Sequence, residues 1–492
     1  MKVLIVASEV VPFAKTGGLA DVAGALPKAL KSLGVDVRVA MPRHKCVSDG
    51  KFGLKPSHIS PLSFDVQTGL STERANLRTG SISAGPSGGE IPVYFIENNK
   101  YFDRDALYGD QHGDYPDNGL RFSFFCRSVL ESLRVSLFQP DVIHCNDWQT
   151  GLIPAYLKTI YGEDLYLKGI KTLYTIHNIA YQGLFEPGIM DYAGLNKSLF
   201  NFRQLEFYGK MNFAKAGLVF ADAINTVSEK YAGEIMTPDF GCKLEGVLKE
   251  RSGDVYGIIN GIDYEEWNPS TDGSLKTAYD GNMLEGKLEN KKALQAESGL
   301  PVDSGVPLFG FVGRLAAQKG LDILSEALPG LLEEDVQVVM LGKGDTSYEK
   351  LCGEIAAKYP KKVKVILGFD VAMSHRIYAG SDFFLMPSFF EPCGLGQMIA
   401  MRYGSIPVVH YTGGLADTVA VYNEVTGGGN GFVFKRYSAA KLLATLKNAL
   451  GVFRSKERWL GLVRQAMGYR FSWEKSAKKY LELYNKIMSA EL

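Results

Sequence analysis

The sequence carries no surplus charge, since 54 lysines and arginines balance 54 aspartates and glutamates. A neutral balance removes the overall attraction that a nucleic acid or an anionic membrane surface would exploit, leaving only local basic clusters to consider. Neither partner is expected. No apolar run approaches the ~20 residues of a membrane-spanning helix. The start, MKVLIVASEV, is apolar enough to suggest a signal peptide, but Glu9 interrupts it, no small-residue cleavage site follows and Lys15 comes too soon. It reads as a buried strand. Cysteine is scarce: Cys46, Cys126, Cys145, Cys242, Cys352 and Cys393 contain no C-x-x-C pair, and no histidine joins them at zinc-finger spacing. Most sit in apolar contexts, so small buried thiols are expected for most of them, in a reducing cytoplasm. Also missing are H-E-x-x-H and a phosphate loop ending in G-K-[ST], and the G-x-S-x-G string at 85–89 falls in a Gly-rich surface segment rather than at a strand-to-helix elbow, so zinc-dependent hydrolysis, Walker-type nucleotide chemistry and serine hydrolysis have no foundation. A D-x-D triplet at Asp103 to Asp105 lies in a charged loop rather than directly at a strand end. No metal site and no cofactor are expected.

What the chain does have is a repeated hexapeptide. Thr-Gly-Gly-Leu-Ala-Asp occurs at Thr16–Asp21 and again at Thr412–Asp417. Each copy follows a β-branched apolar run, KVLIVAS or SIPVVHY, and each leads into a plausible helix start. Such a strand–turn–helix junction aims backbone N–H groups and the positive helix end at whatever lies above the strand tip. Glycine there lets a ligand approach a backbone without a Cβ. Two such turns suggest two nucleotide-type domains sharing one anionic ligand.

Short apolar runs alternate with helical patterns along nearly all 492 residues, the signature of α/β layers on parallel sheets. In the first half the strands are KVLIVAS, DVRVAM, IPVYFI, DVIHC, KTLYTIH and DAINTVS; VYGIING, LFGFVG, VQVVML, KVKVILG, DFFLMP and IPVVHY restart the pattern. The first helix is expected over Leu19–Leu33, stopping at Gly34, with a kink at Pro27. Residues 46–90 read as less regular, with GPSGGE at 85–90 a surface hairpin or loop. A polar stretch at 262–305 separates the halves, which places a hinge near Asn260. The resulting division is 1–258, 259–470 and a terminal helix at 471–492 that either packs on its own domain or crosses back to the first. Two doubly wound domains in tandem put their strand tips face to face across a deep cleft, an architecture suited to a sugar nucleotide.

The chemistry-bearing residues sit at those tips. Lys15 precedes the first glycine pair, Gly17 and Gly18, where a cation suits a phosphate. Arg314 follows LFGFVG, with Lys319 five residues on. Two fixed cations hold both halves of a diphosphate and stabilise charge growing on it as it leaves; a strand-end arginine also serves in structural ion pairs. Glu391, after DFFLMP, can accept sugar hydroxyls, or simply complement a helix start. Gly394 to Gly396 offer amides to phosphate. His177 ends KTLYTIH, where a histidine can donate to a sugar oxygen or phosphate. Asp147 and Trp148 follow DVIHC as a carboxylate beside a flat indole, which suits a sugar ring, with core packing the alternative for Trp148.

Taken together, SEVVPFAKTGGLADV, HCNDWQTGL, HNIAYQG, NGID, GRLAAQKG, EPCGLGQ and TGGLAD resemble the bacterial glycogen synthase and starch synthase family, retaining glucosyltransferases of the two-domain GT-B type. The resemblance runs from Met1 to the terminal helix. It implies transfer of glucose from ADP-glucose to the non-reducing 4-hydroxyl of an α-1,4-glucan (glycogen, starch or a maltooligosaccharide), without metal. It places Lys15, Gly17 and Gly18 on the donor's phosphate and sugar, Arg314 and Lys319 on the diphosphate, and Glu391 on the glucose hydroxyls. His177 would sit next to the anomeric centre. Phe369 would lie against the base, and Cys393, Gly394, Leu395, Gly396, Thr412, Gly413 and Gly414 would line the donor site. Asp21, Tyr108, Asp147, Trp148 and Asn178 would lie toward the acceptor, with Asn260 near the hinge-side wall. Two positions depart from the family pattern: Gly396 stands where many members carry threonine, and no proline-glycine precedes Tyr108. UDP-glucose as donor, a sugar-nucleotide epimerase, a non-catalytic glucan-binding protein and a membrane-bound transferase are the competing readings.

Overall fold

The computed structural model describes residues 1–56, 63–85 and 88–489, so the tip of the expected loop at 85–90 lies partly outside the described residues. The chain divides into two units. The first comprises Met1–Val227, Ala232–Ile258 and Trp473–Leu492, and the second Ser228–Tyr231 and Ile259–Ser472.

The apolar runs of the first unit form a parallel sheet because Val, Ile and Leu buried on both faces leave strand pairing as the way to satisfy their backbone. Across the sheet the order is Val255–Gly257, Ala223–Thr226, Lys171–Ile176, Val142–Asn146, Lys2–Val6, Asp36–Pro42, Glu90–Glu97. The strand Lys2–Val6 pairs with Val142–Asn146 on one side and Asp36–Pro42 on the other, both parallel. Chain order therefore reverses between Lys2–Val6 and Val142–Asn146, the point where a doubly wound sheet opens a crevice at its strand tips. VYGIING belongs here and not to the second half: Val255–Gly257 pairs with Ala223–Thr226. Residues 46–90 are also more regular than expected. Ser71–Ser83 is a thirteen-residue strand, antiparallel to Glu90–Glu97 and Ser63–Thr68. Its alternation is carried by small and polar residues, which conceals the period of two.

The first helix runs Gly18–Ser32 and passes through Pro27 without interruption. Leu19, Val22, Ala23, Leu26 and Leu30 make its buried stripe, and Gly34 ends it at φ +83°. Beside it packs the last helix, Trp473–Ser489, whose Trp473, Ala477, Tyr480, Leu483, Tyr484 and Ile487 join the same buried cluster as Val3, Ile5, Leu26 and Leu30. That helix also keys into the sheet through polar groups. The Tyr484 hydroxyl lies 2.8 Å from His144 Nδ1, and Asn225 Nδ2 donates to the Tyr480 hydroxyl at 3.0 Å.

In the second unit six parallel strands run Val363–Leu367, Gln337–Gly342, Leu308–Val312, Phe383–Met386, Ile406–His410, Phe432–Phe434 across the sheet. Counted along the chain the order is 3-2-1-4-5-6, so the switch falls between Leu308–Val312 and Phe383–Met386. Phe432–Phe434 was not among the expected strands. Three helices follow it, the last being the one that belongs to the first unit.

Candidate active site

In the second unit, the loops leaving the two switch-point strands carry the expected cations. Arg314 lies one residue beyond Gly313 at the tip of Leu308–Val312, exposed, its guanidinium 3.3 Å from Gln318 Oε1. Lys319 sits on a single 3₁₀ turn, Ala317–Lys319, and donates to Glu391 Oε2 at 2.7 Å. The same oxygen accepts the Ser388 hydroxyl at 2.9 Å. Glu391 is buried (6% exposed), so its charge is held by a lysine and a hydroxyl rather than by water. The two loops are stitched together, because the Phe389 amide donates to Gln318 O at 2.9 Å and Gln318 Nε2 to Phe390 O at 3.3 Å.

The second glycine pair does something different from the expectation. A Cβ on Gly413 would come 1.9 Å from Glu391 O, and one on Gly414 2.1 Å from Cys393 O. Gly414 also donates its amide to the carbonyls of Glu391 and Pro392, at 3.1 Å each. This amide supports the Glu391–Cys393 turn and is not open to a phosphate. Gly394 takes φ +70°, a conformation that strains any residue with a Cβ. Gln397 locks that turn by donating to Cys393 O at 3.0 Å and Gly394 O at 2.9 Å. Cys393 is buried with its thiol pushed up to about 12 by desolvation, and Asn260 lies against it. Asn260 thus borders the turn expected to bind donor. Leu395 and Gly396 lie half-buried at the start of the helix Gly396–Arg402, where a Cβ on Gly396 would lie 3.1 Å from Phe384. Phe369 is 87% exposed on the loop after Val363–Leu367.

In the first unit, Glu9 is the residue the sequence reading passed over. It ends the first strand's loop, is 4% exposed, and its carboxylate accepts the Thr16 amide, the Thr16 hydroxyl at 2.9 Å and the Gly17 amide at 3.2 Å. Of the two amides expected for a phosphate, Gly17 and Gly18, that of Gly17 is therefore already engaged by the protein's own carboxylate. Burial raises the Glu9 pKa against those bonds. The sequence does carry a signal for it, an acid that breaks an apolar strand. Above the glycines there is room: a Cβ on Gly17 or Gly18 would meet no atom within 4 Å. Lys15 pairs with Asp21 at 2.6 Å. Tyr108, 2.6 Å from Ser8 Oγ and 3.2 Å from Glu9 Oε1, joins this group.

The glycine pairs therefore respond oppositely to a methyl group. Gly17→Ala is expected to leave the thermal midpoint unchanged and to affect only ligand binding or turnover. Gly414→Ala should unfold the Glu391 turn or cost on the order of 3 kcal/mol or more, because backbone must move. Equal melting midpoints for the two variants would show that the close contact at Gly414 is unimportant.

Asp147, at the tip of Val142–Asn146, has φ +56° and ψ −179°, backbone territory essentially reserved for glycine. The strain is held by its own bonds: its amide donates to Thr175 O at 2.9 Å and its carboxylate accepts the His177 amide at 2.7 Å. Burial raises its pKa from 3.8 to about 7. A carboxyl raised in the folded state stabilises the fold relatively where it stays protonated. Its contribution is undiminished below the unfolded value, is lost as pH climbs from about 4 through about 7, and is level above. Asp147→Asn keeps an oxygen for the amide, so it is expected to raise stability at pH 8 relative to pH 5 by on the order of a few kcal/mol. Thermal midpoints at both pH values check this; an unchanged difference would rule it out.

His177 is corrected in its role. Asn146 Nδ2 donates to Val6 O at 3.1 Å and His144 O at 3.2 Å, so Asn146 Oδ1 faces His177 Nε2 at 2.9 Å and must accept its proton. Desolvation lowers the imidazole pKa to about 3. The ring is neutral with its lone pair at Nδ1, an acceptor of a hydroxyl proton and not the donor expected. Trp148 is also corrected. It is 8% exposed, its ring packed by Phe122, Phe185 and Phe213 at centroid distances of 4.9–6.4 Å, with Gly183 against it. No face is offered to a sugar. Asn178 folds its Oδ1 onto the Ala180 amide at 3.0 Å. Among the described residues no group of three His, Cys, Asp or Glu side chains has the arrangement to hold a metal ion. The pair Asp103 and Asp105 gives Asp105 to Lys45 at 2.7 Å.

Comparison with known proteins decides the family. The model of the starch synthase catalytic domain matches residues 2–250, and that of glycosyl transferases group 1 matches residues 295–457. A glycogen synthase of Geotalea daltonii is 48% identical over 489 residues, covering 99% of both chains. The chain belongs to the glycogen synthase and starch synthase family. Another member, the glycogen synthase of Thermotoga maritima, is 46% identical over 492 residues, again with 99% of each covered. Among solved structures, the catalytic domain of starch synthase IV from Arabidopsis thaliana, bound to ADP and acarbose, superposes with a TM-score of 0.90 at 34% identity over 99% of both chains. Sucrose-phosphate synthase from Thermosynechococcus elongatus, at 17% identity and TM-score 0.61 over the full length of both, shares the fold. This synthase is a glycosyltransferase of the GT-B type, built from two doubly wound α/β domains in tandem.

Proposed function

We propose that this synthase transfers glucose from ADP-glucose to the non-reducing 4-hydroxyl of an α-1,4-glucan, with retention of anomeric configuration and without a metal or other cofactor. One observation carries the reading: Arg314 and the Lys319–Glu391 pair stand at the tips of adjacent parallel strands, at the switch point of the second sheet. That is where a doubly wound sheet binds its ligand, and fixed cations there neutralise a diphosphate without a metal. The Arabidopsis relative bound to ADP and acarbose supports an adenine nucleotide as donor.

In this reading Arg314 grips the diphosphate by two parallel N–H bonds and Lys319 adds a point charge. Both bonds given to Glu391 run to Oε2, which leaves Oε1 to accept a glucose hydroxyl. Phe369 stacks on the base and the open backbone at Gly17 and Gly18 admits the donor beside Lys15. Asp21, Tyr108, Asp147 and Asn178 take the acceptor side, and neutral His177 accepts a sugar hydroxyl. The glycosidic bond breaks toward an oxocarbenium-like state, and the departing diphosphate takes the proton of the incoming 4-hydroxyl on the same face, which retains the configuration. We place the reaction in the cytoplasm, where six free cysteines stay reduced.

A donor panel with a short maltooligosaccharide tests this. ADP-glucose should lengthen the chain one glucose at a time, with the new linkage α by NMR and the rate unaffected by a chelator. Faster extension from UDP-glucose would reassign the base. An altered sugar from ADP-glucose alone would make the protein an epimerase instead.

A further inference from the structure

Arg121 is fully buried and no carboxylate hydrogen-bonds to it. Burying a guanidinium costs several kcal/mol unless its donors are matched, so the arrangement around it has to be accounted for. Each nitrogen has its own acceptor. Nε donates to Tyr101 O at 2.7 Å, Nη1 to Asn118 Oδ1 at 2.6 Å and Nη2 to Leu107 O at 3.0 Å. Because Asn118 gives its oxygen to Arg121, its Nδ2 faces the other way and donates to Tyr108 O at 2.8 Å. Tyr115 donates its amide to the same carbonyl at 2.9 Å. Residues 103–117 contain only a two-residue strand pair, Gly109–Asp110 with Gly113–Asp114, so no sheet ladder holds them in place. The carbonyls at 101, 107 and 108 are instead gathered directly or through Asn118 onto one cation.

The far end of this chain is Tyr108. Its hydroxyl reaches Ser8 Oγ at 2.6 Å and Glu9 Oε1 at 3.2 Å, and Glu9 in turn holds Thr16 and Gly17. His44 fixes Ser8 from behind, its Nε2 2.8 Å from Ser8 O. We propose that Arg121, through Asn118, is a positioning residue that presents Tyr108 to the glucan acceptor; this rests on the acceptor-side reading of Tyr108 given above. The planar fork is the reason for arginine. A lysine ammonium at the same depth keeps the charge, but its three donors radiate from one nitrogen, whereas here each acceptor meets a different nitrogen of the fork.

The test compares Arg121→Lys, Tyr108→Ala and the double variant, measuring KM for a short maltooligosaccharide, KM for ADP-glucose and kcat on each. Arg121→Lys is expected to raise the acceptor KM by about tenfold, to leave the donor KM within about twofold, and to add nothing to the acceptor KM of Tyr108→Ala in the double variant. A merely structural arginine would lower the apparent kcat through loss of folded enzyme and leave both KM values where they were, and that result overturns the proposal. An unchanged acceptor KM in Arg121→Lys beside a raised one in Tyr108→Ala also overturns it while leaving the acceptor reading intact. An unchanged acceptor KM in Tyr108→Ala removes the acceptor reading, and the proposal with it. Should Arg121→Lys fail to fold, Asn118→Ala, which removes the link to Tyr108 together with the acceptor of Arg121 Nη1 but leaves Nε and Nη2 engaged, carries the same expectation and the same grounds for rejection.

Discussion

Replacing Arg314 with alanine is expected to lower kcat by about 10²–10³ while the protein melts where it did before. The stability half follows from exposure: Arg314 is exposed, and its contact with Gln318 is a long one at 3.3 Å. The catalytic half follows from position. In the proposed reaction, negative charge on the departing diphosphate is greater in the transition state than in the bound donor, so a guanidinium at the switch point would bind that state more tightly than the ground state. Arg314→Lys should recover part of the loss, since one charge remains but the paired N–H geometry does not. The decisive readout is the division between constants. A raised donor KM with intact kcat would make Arg314 a gripping residue only and would remove the leaving-group argument. Lys319→Ala should differ from Arg314→Ala in costing stability as well, because it strips buried Glu391 of its cation and leaves Ser388 alone to hold it.

The second large effect lies far from the chemistry. A chain ending at Ser472 should lose the native packing of the first unit. The missing helix contributes Trp473, Tyr480, Leu483, Tyr484 and Ile487 to the cluster that surrounds the first strand and first helix. Large apolar side chains are worth about 1.5–3 kcal/mol each when buried. Losing these removes about 8–15 kcal/mol, as much as the whole stability of an ordinary domain at about 5–15 kcal/mol. His144 and Asn225 would also be left facing an empty groove without the tyrosine hydroxyls. Near-UV circular dichroism and amide exchange of Lys2–Val6 and Val142–Asn146 should both report the loss. Native-like protection of those strands in the shortened chain would show that the helix is an accessory. The single change Tyr484→Phe tests the polar part, with an expected cost of about 1–2 kcal/mol from the unpaired His144 nitrogen.

The strand-tip positions of three candidate site residues were legible before any coordinates. Arg314, Lys319 and Glu391 follow apolar runs whose β-branched residues announce strands, and the ends of parallel strands are where ligands bind. The repeated hexapeptide marked two strand–turn–helix junctions for the same reason. The twin glycine pairs, identical in sequence, proved unlike in use. Gly17 and Gly18 face open space, whereas Gly413 and Gly414 are pressed against the Glu391–Cys393 backbone. Nothing local separates these cases, because the difference lies in what a distant loop brings alongside. The burial of Trp148 among three phenylalanines and the tautomer of His177 were beyond reach on the same ground. Arg121 carried no signal at all, being one arginine among many on an ordinary helix.

Alternating apolar and helical periods determined by themselves that this chain would build parallel sheets, and turn chemistry determined where their tips would lie, because both are short-range properties of the backbone. The coordinates alone decided that Glu9 takes the Thr16 and Gly17 amides, that the final helix completes the first unit, and that a buried arginine gathers the Tyr108 segment. Glu9 reaches only seven and eight positions along the chain, and the other pairings span tens to hundreds; all arise only when packing in three dimensions strips water from polar groups and obliges each to find a partner.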